Sequence, residues 1–241
     1  MPRVTIIETG LVSPANRERH GSYPQMFEAM IAAADPTVTF GTVSVPAGEK
    51  LPDASGLEAI LITGSSAGVY DDFDWIAPLE AFVRTAHARK VPMVGVCFGH
   101  QLVAHALGGR VAALPTCSEY GTIEVKATPA ADADPVFQGA PKTFKAQAAH
   151  SQTVADLPRG AKLLAENGFG VQAARMADTV WGLQFHPEFD LGFMRVLFKT
   201  YASYMAGIGI DVDTESTRLA DSPMALRVLR NFANLVKPRI I

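Results

Sequence analysis

The stretch Val94–Gly108, VGVCFGHQLVAHALG, changes period in its middle. Up to Val96 it continues an apolar run that starts at Pro92 and reads as a buried strand. From Gly99 onward, Leu102, Val103, Ala106 and Leu107 recur at helical spacing. Cys97 is the pivot, with glycines at 95 and 99 on either side. A strand that turns abruptly into a helix holds its pivot residue beyond the edge of the sheet, at the helix N-terminus. The flanking glycines let strand and helix pass close together, as in a nucleophile elbow. There the helix dipole favours a thiolate, and the N–H of Phe98 points to where an oxyanion would form. For Cys97 alone, a buried structural cysteine is an equal alternative.

Outward from the pivot, strands and helices alternate. Arg3 to Glu8, Thr37 to Val45, Leu57 to Thr63 and Pro92 to Val96 read as strands; Tyr23 to Ala34 and Trp75 to Arg89 read as helices. That order argues an α/β fold: an open, mostly parallel, flavodoxin-like sheet with helices on both faces. From Gly109 the pattern shifts to short strands joined by turns, at Arg110–Ala113, Tyr120–Lys126, Thr143–Ala146, Ala161–Ala165, Gly170–Arg175 and Thr179–Phe185. These are expected as mostly antiparallel additions to the same sheet. A helix from Leu191 to Met205 follows, its Met194, Val196, Leu197 and Phe198 expected to pack on the sheet. A last helix opens after Asp221-Ser222-Pro223, where Asp or Ser can cap and proline is tolerated. Residues 1–205 are expected as the main domain, and 206–241 as a helical C-terminal extension packed on it.

The chain has 241 residues, 48% hydrophobic and 19% charged, enough to bury a full core without staples. A net charge of −3 offers no basic stripe, which argues against nucleic acid as a partner. Two cysteines, Cys97 and Cys117, are too few for a disulfide scaffold and point to a reducing compartment. The first apolar run is too short for a signal peptide, and no later run approaches a membrane span. A cytoplasmic protein with no membrane contact is the expectation.

The other chemically informative stretch is Trp181–Phe189, WGLQFHPEF. An apolar strand ends at His186, Pro187 stops the ladder, and Glu188 follows. Glu188 can orient one ring nitrogen of His186 while the other faces outward, completing a Cys–His–Glu arrangement. His186 alone would read as a satisfied histidine at a strand end; beside the elbow it reads as a base.

Together these residues resemble the class I (triad) glutamine amidotransferases. Gly95-Val-Cys97-Phe-Gly99-His-Gln101 is similar to that family's G-x-C-x-G-x-Q nucleophile motif, and Phe185-His-Pro-Glu188 to its histidine–glutamate pair. Ser118–Gly121 and Ala149–Gln152 resemble loops of the glutaminase domain of GMP synthetase, so the resemblance covers roughly residues 55 to 190. It implies that Cys97 attacks the side-chain amide of glutamine or of a γ-glutamyl compound to form a thioester. His186 acts as base and then acid, and Glu188 holds it. The oxyanion hole would use Phe98 and a backbone N–H near Gly64 and Ser65. Gln101, Glu119, Tyr120, Gly121, His150 and Ser151 would line the glutamyl pocket. No cofactor and no metal is implied.

The loop Thr63–Asp72, TGSSAGVYDD, departs from the synthetase's Gly-Gly-Pro version and is closer to stand-alone γ-glutamyl peptidases. No ATP-binding loop and no second catalytic domain occur in the chain, so transferred ammonia would need a separate synthase chain. A free-standing γ-glutamyl hydrolase, a glutaminase subunit and a catalytically silent regulatory domain all remain open here. His100 and His105 have the wrong spacing for a zinc pair. His20 and His87 read as surface residues, Cys117 as a loop thiol, and Asp71, Asp72 and Asp74 as caps for the helix at Trp75. The apolar residues of the last helix, Met224, Leu226, Val228, Leu229 and Phe232, exceed one buried stripe and mark a candidate docking surface.

Overall fold

The computed structural model describes residues 3–114 and 118–236. In chain order it contains β1 (Arg3–Glu8), α1 (Pro14–His20), α2 (Tyr23–Ala34), β2 (Thr39–Ser44), β3 (Ala59–Ile62), α3 (Ile76–Ala88), β4 (Met93–Val96), α4 (Phe98–Ala106) and β5 (Arg110–Ala113). There follow β6 (Glu119–Ala127), β7 (Thr143–His150), β8 (Gln152–Asp156), β9 (Lys162–Asn167), β10 (Gly170–Ala177), β11 (Val180–Leu183), α5 (Leu191–Gly207), α6 (Val212–Arg218) and α7 (Pro223–Leu235). Cys117 lies outside the described residues.

Nine strands form one sheet in the order β2-β1-β3-β4-β11-β10-β9-β6-β7. The pairings from β2 through β11 are parallel and those from β11 to β7 antiparallel. The parallel half therefore has the 2-1-3-4-5 order of a flavodoxin-like sheet. Alternate residues of its strands feed opposite faces. Val4, Ile6, Leu61, Val94 and Val96 join a core with Phe27 and Ile31 of α2. Ile7, Ile60, Ile62 and Met93 join another with Leu79 and Val83 of α3 and Leu102 of α4. Strands covered on both faces are apolar at nearly every position, which is why β3 and β4 read as continuous hydrophobic runs.

The antiparallel half curls. β7 is the far edge of the sheet, yet Gln147 bridges to His186, just beyond β11, with the His186 N–H donating to the Gln147 carbonyl at 2.8 Å. Residues 110–113 correct one expectation: β5 does not join the main sheet but pairs with β8 in a separate two-stranded ribbon.

The last helix corrects another. Met224, Ala225, Val228, Leu229 and Phe232 of α7 are buried in the same core as β1 and β3, while Leu226 is partly open and Leu235, at the helix end, is exposed. Its amphipathic face packs on α2 and β7, so of the residues expected to form a docking surface all but Leu226 are spent on the core. Met194, Leu197 and Phe198 of α5 pack in a third cluster with Val12, Met26, Phe189 and Phe193, between helices rather than only on the sheet. Val196 is half-buried beside them.

Candidate active site

Three adjacent parallel strands, β3, β4 and β11, end at one edge and deliver the candidate residues there. Gly182 pairs with Gly95 and Leu183 with Val96, so Cys97 and His186 leave neighbouring strands side by side. The Cys97 N–H donates to the Leu183 carbonyl at 2.8 Å, locking the pivot to β11. β3 flanks β4 on the other side, so the chain past Ile62 brings Gly64 and Ser65 to the same edge.

Cys97 has φ 51° and ψ −105°, a backbone that L residues avoid. Such a conformation costs on the order of 1–3 kcal/mol and persists only where surrounding structure enforces it. The enforcement is visible at the two glycines. A β-carbon on Gly95 would collide with the Gly99 carbonyl, and one on Gly99 with the Ile62 carbonyl. Strand, turn and helix are thus in backbone contact, and Cys97 stands at the first turn of α4 with its thiol directed to the Ala149 carbonyl at 3.9 Å.

His186 is buried and its Nδ1 lies 2.7 Å from Glu188 Oε1. Its ring stacks on Phe189 at 3.9 Å between centroids and 3° between planes. Burial alone would pull the His186 imidazolium down. The charges of Glu188 and Cys97 and hydrogen bonds to both outweigh it and push the pKa up to about 10. Gly64 closes the third side: a β-carbon there would lie 2.9 Å from His186 Cε1 and 3.5 Å from Cys97 Cβ.

The loop after β3 is anchored from β1. The Thr9 N–H donates to Thr63 Oγ1 at 3.0 Å and the Thr9 hydroxyl to the Thr63 carbonyl at 2.8 Å, while Gly10 lies against the Gly64 carbonyl and Ser65. The Ser65 hydroxyl accepts from the Ala67 N–H, and Asp71 accepts from the Gly68 N–H at 2.8 Å. Asp71 therefore ties the loop rather than capping α3, whose N-cap is Trp75 without a side-chain hydrogen bond. His20 packs edge-on against Phe193, and His87 is half-buried rather than a free surface residue.

A cleft of about 490 Å³ opens over Cys97 and His186. Ser65, Gln101, Tyr120, His150 and Ser151 line it, as does Gln152. Gln101 Nε2 donates to the Gln152 carbonyl at 2.9 Å and to Gln184 Oε1 at 3.0 Å, so α4 clamps the 149–152 turn from below. His150 has both ring nitrogens engaged, with Gln152 O at 2.9 Å and Glu119 Oε2 at 2.8 Å. Two pocket residues expected from sequence do not reach the cleft. Glu119 is buried behind His150, accepting also from Asn167 and Gln172. Gly121, at φ 108°, faces Glu215 and Phe198. Phe98 and Gly64 sit beside Cys97 without lining the cleft through side chains.

Sequence reasoning missed Tyr23, Phe189, Leu197, Tyr201 and Tyr204, all on the cleft wall. Tyr23, Leu197, Tyr201 and Tyr204 lie on helices outside the motifs, and Phe189, which directly follows Glu188, carries no motif signal of its own. Among the described residues no group of three or more His, Cys, Asp or Glu is placed to hold a metal, and no helix is long and apolar enough to cross a membrane.

Fold and site together define an α/β protein with its cleft at the carboxyl ends of parallel strands, where open sheets of this kind bind ligands. The family model for glutamine amidotransferase class-I matches residues 19–202, and the chain belongs to that family. It is 33% identical over 135 residues to a GMP synthase (glutamine-hydrolyzing) of Clostridium novyi, an alignment covering 55% of this chain and 25% of that protein. The chain thus matches about a quarter of the length of that synthase. It is 28% identical over 196 residues to gamma-glutamyl peptidase 4 of Arabidopsis thaliana, covering 79% of this chain and 76% of the relative. A glutamine amidotransferase of Thermotoga maritima shares the fold, with a TM-score of 0.79 over 98% of this chain and 97% of that one at 20% identity.

Proposed function

We propose that the chain hydrolyses the γ-amide of glutamine or of a γ-glutamyl compound through a thioester on Cys97. The observation that carries this is the meeting of a cysteine on a strained elbow with a histidine held by Glu188 at 2.7 Å, both facing one cleft. The Cys97 thiolate forms a bond to the γ-carbonyl carbon, and the oxyanion is met by the Phe98 N–H and an N–H of the Gly64–Ser65 loop. The intermediate collapses with loss of the C–N bond, the leaving nitrogen taking the proton from His186. Water then attacks the thioester and gives a proton to His186, releasing glutamate and restoring the thiolate–imidazolium pair. Glu188 keeps the ring oriented and supports its charge. The same reading places the protein in the reducing cytoplasm, where a nucleophilic thiol persists.

The likeness to a peptidase over most of both chains supports an autonomous hydrolase. The likeness to a synthase's glutaminase part supports a second reading, a subunit that passes ammonia to a separate synthase chain. Steady-state kinetics of the isolated chain on glutamine and on γ-glutamyl dipeptides separates them. The first reading gives turnover without a partner. The second gives little turnover but stoichiometric labelling of Cys97 by a glutamine-mimicking electrophile. Neither turnover nor labelling would sink both.

A further inference from the structure

Ammonia needs no pocket as a leaving group, yet the cleft has a wall that free glutamine would not fill. Its 490 Å³ lies within the range of about 300–1,000 Å³ used by drug-sized ligands. The lining divides by chemistry. Ser65, Gln101, Ser151 and Gln152 are its polar lining, with Gln101 bonded to the Gln152 carbonyl; Tyr23, Tyr120 and Leu197 cluster with Phe189, and with Tyr201 and Tyr204 they make an aromatic and apolar flank. Among the described residues that line it there is no Asp, Glu, Lys or Arg.

The position of His186 decides which flank receives which half of the substrate. The leaving nitrogen must lie against His186 to take its proton. His186 stacks on Phe189, and Phe189 stacks on Tyr23 at 6.2 Å between centroids. The leaving group therefore departs along the aromatic flank. On that flank Tyr201 and Tyr204 are 43% and 53% exposed, large apolar rings left open beside a reactive thiol. Tyr120, Tyr201 and Tyr204 share that wall of the cleft. The α5 backbone leaves helical geometry at Tyr201, with φ −110° and ψ 18°, close to the sparsely allowed bridge region found at many active sites.

We infer that the substrate's amine half is an uncharged aromatic or bulky apolar group. The chain takes γ-glutamyl amides of arylalkyl amines in preference to those of small or cationic amines, with Tyr201 and Tyr204 as the selecting surface. The inference rests on the hydrolase reading and adds no chemical step to it.

The test measures kcat/KM of the full chain on glutamine and on the γ-glutamyl amides of methylamine, benzylamine and 1,4-diaminobutane. The benzylamide should exceed the methylamide by about tenfold, the span of one or two aromatic contacts. Tyr201→Ala and Tyr204→Ala should each lower that ratio roughly three- to tenfold, and Tyr204→Phe should keep most of it. Equal kcat/KM for benzylamide and methylamide, a ratio unmoved by both alanine variants, or preference for the diamine's amide would overturn the inference while leaving the hydrolase reading intact. Turnover of none of the four would remove both. The substrate comparison on the unaltered chain decides by itself, so a variant that folds poorly does not remove the test.

Discussion

Gly64 lies against the ring of His186: a β-carbon on residue 64 would sit 2.9 Å from Cε1. The ring cannot retreat, because Phe189 is stacked on it and Glu188 holds Nδ1. Gly64→Ala should therefore shift the base by a fraction of an ångström to an ångström and lower kcat about 100-fold. The melting temperature should fall as well, since Gly64 is buried and its loop is anchored to β1 through Thr9 and Thr63. Wild-type kcat in that variant would show that the close approach is dispensable.

At Cys97 the usual ranking of alanine and glycine should invert. In ordinary helices alanine is the more stabilising by up to about 1 kcal/mol. At φ 51°, ψ −105° glycine alone is unstrained, so Cys97→Gly should be more stable than Cys97→Ala by about 1 kcal/mol. That corresponds to roughly 2–4 °C in a domain of this size. Both variants should be inactive. Paired thermal melts check it, and a more stable alanine variant would mean the elbow is not strained.

The raised pKa of His186 sets a pH window. Its folded-state value, pushed up to about 10, lies above an unfolded value near about 6.5. Its contribution to stability is complete below about pH 6.5 and is lost as pH climbs through about 10. Activity should follow, with an alkaline limb near pH 10 marking loss of the proton that the leaving nitrogen needs. Glu188→Gln removes a charge that holds the pKa up, so its alkaline limb should move toward neutrality. His186→Ala should lose as much rate as Cys97→Ala, since the two act as a unit. An unchanged pH profile in Glu188→Gln would take Glu188 out of the mechanism.

His100 works in the opposite direction. Buried on α4 against Gly182, it is pushed down to about 3, by burial first and by the neighbouring His150 second. It folds neutral and ionises readily only when unfolded, so it should destabilise the protein as pH falls from about 6.5 toward 3. His100→Gln should flatten that acid limb. Acid titration followed by circular dichroism checks this; an acid midpoint that does not fall would assign the transition to other groups.

Much of the parallel sheet and the meeting of Cys97 with His186 and Glu188 at its edge was legible, because both depend on local signals. β1 and α2 fall on the expected residues, and the switch of period at Cys97 marks the elbow. What escaped was nonlocal or weakly patterned. α1, PANRERH, carries no apolar stripe to betray a helix. β8 follows β7 after one residue and has no turn signal long enough to separate them. The surplus apolar residues of α7 read as an open face because its second partner, β7, is about eighty residues away in sequence. Glu119 was assigned to the pocket by its neighbours in the chain, whereas the β6–β7 register turns it under His150. The tyrosine wall is assembled from α2, β6 and α5, and no motif spans those segments.

The central claim is the thioester on Cys97. Acid-quenching the chain during turnover of a γ-glutamyl amide, followed by mass spectrometry of its peptides, tests it most directly. A γ-glutamyl adduct on the peptide bearing Cys97, absent from Cys97→Ser and accumulating in His186→Ala only if acylation survives the loss of the base, is the expected result. Turnover by the wild-type chain with no adduct on Cys97 at any quench time, together with retained turnover in Cys97→Ala, would contradict it.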